Sequence, residues 1–164
     1  MADPLDPRAW QVVEITSSET HPVRLAVLRA DTPTKAVTFA EDDWPGAVHL
    51  GVCVDGELVA TSTWIPRPMP PDPDPDPDPD GSIDAPAVQL RGMATMHHLQ
   101  GSGIGAALIA AGCARAQING AAIVWANARD RALAFYEREG FEVVGDGFVD
   151  TTTQLPHHVV VRRL

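Results

Sequence analysis

The stretch Gln100-Gly101-Ser102-Gly103-Ile104-Gly105-Ala106 has the spacing from which chemistry is most readily read. It lies between an extended run, Ala87 to Met96, and a helical run, Ile104 to Ile118. A glycine-rich turn that leads a strand into a helix presents bare backbone N–H groups and the positive end of the helix dipole. Without a Cβ in the way, an anion can come close to the backbone. The residue types therefore predict a phosphate-bearing cofactor. A Walker loop needs Lys-Ser/Thr after its last glycine. Here Gly105 is followed by Ala106-Ala107, which argues against nucleoside triphosphate hydrolysis. A dinucleotide turn reads G-x-G-x-x-G after the first strand, with an acidic residue about 20 positions on. Glycines at 101, 103 and 105 depart from that spacing, so dinucleotide binding is the weaker alternative.

Further groups able to do chemistry are the adjacent histidines His97-His98 and His157-His158, and the cluster Glu41-Asp42-Asp43. Histidine titrates near neutrality and suits a general base. On a strand, one of two adjacent histidines faces a cleft and the other faces away. The acidic cluster reads either as a solvated turn or as a rim that attracts an ammonium group. No third ligand has the spacing of a metal site, so no metal is expected. Cys53 and Cys113 are isolated and read as reduced thiols.

The elements that must position these groups follow from patterning. Ala9 to Ile15 reads as a short strand and Thr20 to Arg29 as a helix with Pro22 in its first turn. Ala47 to Val54 and Glu57 to Ile65 flank Asp55-Gly56, a two-residue hairpin signal. The helix from Ile104 is expected to bury Ile104, Ala107, Leu108, Ala111, Ala114 and Ile118. Ala121 to Ala126 reads as a buried strand, Asp130 to Glu139 as a helix, and Phe141 to Val149 with His157 to Arg163 as a closing strand pair. Strands come first and then alternate with helices, an α/β or α+β order with a partly parallel centre. Residues 66–81 hold eight of the fifteen prolines and a Pro-Asp repeat, which predicts an extended, solvated loop. The chain is expected to be a single domain, 1–164.

The net charge of −10 argues against nucleic-acid binding. No apolar run approaches the roughly 20 residues needed to cross a bilayer, and no leader-like pattern opens the sequence. A cytoplasmic protein is expected, and a homodimer is compatible with the sequence.

Gln100-x-x-Gly103-x-Gly105 after a strand resembles the acyl-CoA-binding signature of the GNAT acetyltransferase superfamily. Downstream, Ala132-x-x-Phe135-Tyr136-x-x-x-Gly140-Phe141 resembles that superfamily's A-x-x-F-Y-x-x-x-G-F helix. The two motifs are in the expected order, one helix and one strand apart. The resemblance implies a GNAT-like mixed sheet of about seven strands, splayed open after Met93 to Thr95. It implies acetyl-CoA as co-substrate, with the pantetheine arm along Met93, Ala94 and Thr95. The pyrophosphate would sit on Gly101, Ser102, Gly103, Ile104, Gly105 and Ala106. Many relatives carry Arg at the place of Gln100. Relatives often carry Asn at the place of Arg129, and Asn127 lies two residues earlier, so either residue is a candidate for the pantetheine contact.

The implied activity is transfer of an acetyl group to a primary amine of a small molecule or peptide, by direct attack in a ternary complex. Backbone N–H groups of Met93 to Thr95 would hold the developing oxyanion. Tyr136 matches the family's general acid and would hydrogen-bond the leaving thiolate. For the base, His157 is the first candidate, because Pro156 sets its backbone in a short turn beside the sheet. His97, His98, His158 and the acidic cluster remain open. The acidic composition weakly favours cationic acceptors. The rival reading is a non-catalytic acyl-CoA-binding or regulatory module, for which Arg129 and Gln100 are the departures that count.

Overall fold

The computed structural model describes residues 10–70 and 86–164. The loop expected over 66–81 lies outside the described residues from position 71 onward. Seven strands make one sheet: β1 (Val12–Ile15), β2 (Val48–Val54), β3 (Glu57–Pro66), β4 (Ala87–Thr95), β5 (Ile123–Arg129), β6 (Glu142–Val149) and β7 (Pro156–Arg163). Their order is β1-β2-β3-β4-β5-β7-β6. All neighbours are antiparallel except β4 and β5. The parallel pair is joined by α2 (Ile104–Ile118), and α3 (Leu133–Arg138) follows β5 after a 3₁₀ turn, Asp130–Ala132. No helix among the described residues is long and apolar enough to cross a membrane.

Local chemistry explains most of these elements. Asp55 and Gly56 both take left-handed φ, 51° and 81°, as a tight two-residue hairpin turn requires. The helix expected from Thr20 is helical only through Leu28 and changes character along its length. A 3₁₀ turn (Ser18–Thr20) leads into α1 (His21–Val23), and a π-helical turn (Arg24–Leu28) follows. The π turn begins at Arg24, whose guanidinium donates to Asp42, Thr63 Oγ1 and the Val37 carbonyl. β5 runs to Arg129, beyond the expected end at Ala126, because β7 continues to pair with it as far as Arg129–His157.

The sheet opens at its centre. β4 and β5 pair only through Ala87–Ile123, Val88–Val124 and Gln89–Trp125, so they part before the Met93–Thr95 stretch where the opening was expected. On the other side of β4, Thr61 pairs with Ala94 but Thr63 pairs with Arg91. The extra residue is a bulge that bends β4 away from β5. Gly92 makes it possible: its φ is 60°, and a Cβ there would lie 2.9 Å from Phe39 and 3.2 Å from Arg24 Nε.

α2 packs across one face of the sheet. Its buried residues are Ile104, Leu108, Ile109, Gly112, Cys113 and Ala116, while Ile118 is 84% exposed. The buried stripe is thus rotated from the expected one, which included Ala114 and Ile118. The cause is Trp64, whose indole lies against the helix at Gly112. A Cβ on that residue would sit 1.9 Å from the ring.

The opposite face holds a polar network. Asp42 receives two bonds from Arg24, at 2.8 and 2.9 Å, with both side chains 1% exposed. Burial alone would raise the Asp42 carboxyl, but bonds from Arg24 and the Phe39 N–H outweigh it and hold the group below its ordinary range. Glu41 pairs with Arg67 at 3.0 Å and Arg91 at 2.7 Å. These two carboxylates are therefore neither a solvated turn nor an ammonium-attracting rim: they are buried and already paired. Losing one partner of the Arg24–Asp42 pair would cost about 3–5 kcal/mol, because the other charge would be stranded.

Candidate active site

Where β4 and β5 part, a cavity of about 760 Å³ opens. The end of β4 contributes Met93, Ala94 and Thr95 to its lining. The turn into α2 contributes Gln100, Gly101, Gly103, Gly105 and Ala106. Arg129 reaches the cavity from the end of β5, and Phe135 and Tyr136 from α3. Val27 and Leu28 of the π-helical turn form a wall that no sequence pattern announced, because only tertiary packing brings that turn over the sheet opening.

The geometry of the turn is one that can receive an anion. Gly101 and Gly103 take φ of 81° and 91°, conformations that glycine adopts without strain. Among the described residues, the backbone N–H groups of Gly101, Gly103, Ile104, Gly105 and Ala106 donate to no protein acceptor. They crowd at the positive end of the fifteen-residue helix α2. A Cβ at Gly101 or Gly103 would meet no protein atom within 4 Å, so the space in front of the turn is open to a ligand. Ser102 is different, since its N–H and its hydroxyl both bond back to the Leu99 carbonyl. The Ile104 side chain is fully buried in the core, leaving only its N–H for the turn. Gln100 is exposed and its amide donates to the Thr95 carbonyl at 3.1 Å. Gly105 lets α2 approach α3, because a Cβ there would lie 3.1 Å from the Phe135 ring.

Tyr136 is 6% exposed, its ring flanked edge-on by Phe135 and Phe141 with centroids 5.3 Å away in each case. Among the described residues its phenol oxygen has no hydrogen-bond partner. Burial pushes the phenol well above its ordinary value, so it stays a neutral donor throughout the assay range. Tyr136 is the single tyrosine of the chain, so tyrosinate absorbance reads it alone. The folded protein is expected to show no tyrosinate signal until well above pH ~10, the unfolded phenol value. The sign follows from linkage. The folded state keeps a proton that the unfolded state releases, so this contribution to stability is complete below pH ~10 and lost as pH rises toward the folded value. An alkaline titration with simultaneous circular dichroism checks this. Tyrosinate appearing near pH ~10 while the fold persists would contradict the burial.

The histidines separate. His97 lines the cavity and is exposed. His98 is exposed too but is not part of the lining. His157, the first candidate for the base, does not reach the cavity. It is 6% exposed, its Nδ1 lies 2.8 Å from the Leu155 carbonyl, and its ring stacks on Phe148 at 5.8 Å. Pro156 and β7 pairing place it there, opposite Arg129 on β5. His158 bonds through Nδ1 to Asp130 at 2.7 Å, bracing the 3₁₀ turn that precedes α3. Asn127 is exposed and lies outside the lining, whereas Arg129 is part of it.

Arg129 donates from Nη2 to the Leu28 carbonyl, and its Nη1 lies 3.6 Å from Asp31. Burial lowers its proton affinity, and neighbouring Arg131 adds to the effect. The negative balance of the whole chain is not repeated in the cavity lining. Its ionisable lining is Arg129, Arg131, Arg138, His97, Glu139 and Tyr136, with arginine predominating.

Comparison with known proteins agrees with this geometry. The Acetyltransferase (GNAT) family model matches residues 11–141. The uncharacterized N-acetyltransferase YitI of Bacillus subtilis is 28% identical over 138 residues, which cover 84% of this chain and 86% of its own. Among solved structures, Escherichia coli ElaA superposes with a TM-score of 0.70 at 18% identity, over 93% of this chain and 98% of its own. An acyl-CoA N-acyltransferase from Pseudomonas aeruginosa gives a TM-score of 0.68 at 18% identity, with the same coverage of 93% and 98%. At these identities the structural likeness is one of fold.

Proposed function

The chain belongs to the Acetyltransferase (GNAT) family, and from that membership we propose that it transfers an acetyl group from acetyl-CoA to a primary amine of a small molecule or peptide. The carrying observation is the set of unpartnered N–H groups of Gly101 and of Gly103 to Ala106, in a turn that lines the same cavity as Tyr136. Acetyl-CoA supplies an activated acyl group as a thioester, and its diphosphate fits donors that are bare, convergent and unobstructed.

The rest of the task falls to the protein. A lysine-like amine reaches its neutral form at pH 7 at a cost of about 4–5 kcal/mol, which the acceptor side of the cavity must offset. In a ternary complex, the amine nitrogen bonds to the carbonyl carbon, the carbon–sulfur bond breaks, and the ammonium proton leaves to solvent or a base. Met93, Ala94 and Thr95 line the cavity on the free side of β4, where backbone N–H groups can face a developing oxyanion. Tyr136 stabilises the departing thiolate as a hydrogen-bond donor. Its burial makes complete proton transfer less favourable and donation more dependable.

The direct test is release of CoA thiol from acetyl-CoA with a panel of primary amines. Turnover with at least one amine is expected, and tight CoA binding without turnover across the panel would overturn the reading. The anchor has its own test. Gly103→Val is expected to weaken CoA binding at least about tenfold by calorimetry, since the new side chain enters the space kept for phosphate. The left-handed backbone adds about 1–2 kcal/mol of strain, visible as a lower melting temperature. Unchanged CoA affinity would remove the diphosphate from this turn.

A further inference from the structure

Resting on the transferase reading, we propose that the acceptor carries a carboxylate as well as its reacting amine, and that Arg129 binds that carboxylate after displacing Asp31. Arg129 and Arg131 both line the cavity. Both are held by one carboxylate, Asp31, from the segment after the π-helical turn. The two contacts are unequal. Asp31 Oδ2 accepts a 2.7 Å bond from Arg131 Nη1, whereas its Oδ1 stops 3.6 Å from Arg129 Nη1, beyond hydrogen-bond reach. Among the described residues, Arg129 Nη1 is consequently buried with no hydrogen-bond partner.

A buried guanidinium N–H without an acceptor is a costly arrangement, and proteins rarely leave one unless something else fills the need. The Arg129 fork is otherwise fixed, because Nη2 is bound to the Leu28 carbonyl. A carboxylate is the planar acceptor that suits such a fork. Asp31 is 43% exposed and pairs with two arginines of the cavity lining, so it can swing toward water while an incoming carboxylate takes its place. The exchange swaps one negative charge for another and leaves the local balance unchanged. Arg29 and Asp150, the other charges that act on Arg129, oppose each other in sign. The acceptor class is therefore an amino acid or a peptide with a free carboxylate near its amine, rather than a simple cationic amine.

Amine pairs that differ only in a carboxylate test this: phenylalanine with phenethylamine, lysine with cadaverine, methionine with 3-methylthiopropylamine. Thiol release gives kcat/KM for each. Calorimetry on the N-acetylated form of each, with CoA present, reads the carboxylate without any turnover. The carboxylate-bearing member of at least one pair is expected to be favoured about ten- to hundredfold. Arg129→Gln should erase that preference, by a factor comparable to the preference itself. Asp31→Asn leaves the Arg129–Leu28 bond in place, and it should tighten the carboxylate-bearing members only. Equal behaviour of every pair in calorimetry would overturn the proposal. So would a preference that survives Arg129→Gln, or an Arg129→Gln effect on CoA rather than on the acceptor. Absence of thiol release with every amine would sink the transferase reading, while the calorimetric comparison would still decide this one.

Discussion

Tyr136→Phe is expected to lower kcat about a hundredfold or more while the protein folds and binds CoA as before. The substitution deletes one oxygen from a ring whose packing is otherwise kept, since the edge-on contacts with Phe135 and Phe141 involve only the rings. No protein hydrogen bond to the phenol is lost among the described residues. Losing a donor to charge that develops in the transition state costs about 10²–10³ in rate. A donor that acts on the leaving thiolate should act on kcat, with KM for acetyl-CoA little changed. Pre-steady-state kinetics and a thermal melt of the variant separate chemistry from folding. A variant with full kcat would reduce Tyr136 to a packing residue.

The second large effect is on stability. Gly112→Ala adds one methyl group to the middle of α2, where alanine is intrinsically favoured over glycine by about 1 kcal/mol. On an exposed helix face the change would stabilise. Here the new Cβ would fall 1.9 Å from Trp64 Cζ2 and 2.0 Å from its Cε2. Trp64 is 4% exposed and its Nε1 donates to Ser62 Oγ at 2.9 Å, so the indole cannot tilt away without breaking that bond. The helix must lift off the sheet instead. Overpacking commonly costs about 1–3 kcal/mol, and an overlap of this depth lies at or above the upper end. A fall of about 3 kcal/mol or more in denaturant unfolding is expected, and a neutral or raised melting temperature would refute the close contact. The lifted helix carries the anion-binding turn at its N-terminus, so CoA affinity should fall together with stability.

Gly112 also shows why parts of the fold were hidden in the sequence. The expected stripe along α2 counted Ala114 and Ile118 as interior and passed over a glycine, because apolar periodicity rewards side chains. In the structure the missing side chain is the contact, and the stripe turns to follow it. The Asp55-Gly56 hairpin and the Gly101–Gly105 turn were legible for the converse reason: left-handed backbone leaves a chemical mark at fixed positions. β5 was read three residues short because its last residues, Asn127 to Arg129, are held by pairing with β7 and not by their own apolar character. Glu41 and Asp42 looked like surface charges because their partners, Arg24, Arg67 and Arg91, are far away in sequence. The same distance hid the wall formed by Val27 and Leu28. His157 shows the limit of adjacency as a guide: alternation along a strand says that two neighbours face opposite ways, but not which face the cavity occupies.

The three-residue ladder between β4 and β5 divides the sheet into two rafts moored by a short rope. A slender arm laid along the bare margin of β4 would be a second mooring, so an occupied protein should melt as one body and at a higher temperature than an empty one. Deuterium uptake would map the seam. Backbone amides of β4 beyond Gln89 that face the parted β5 edge, and not those in the β3 ladder, should fill rapidly in the empty state and slow down when acetyl-CoA arrives, with the Trp64–Gly112 interior unaffected.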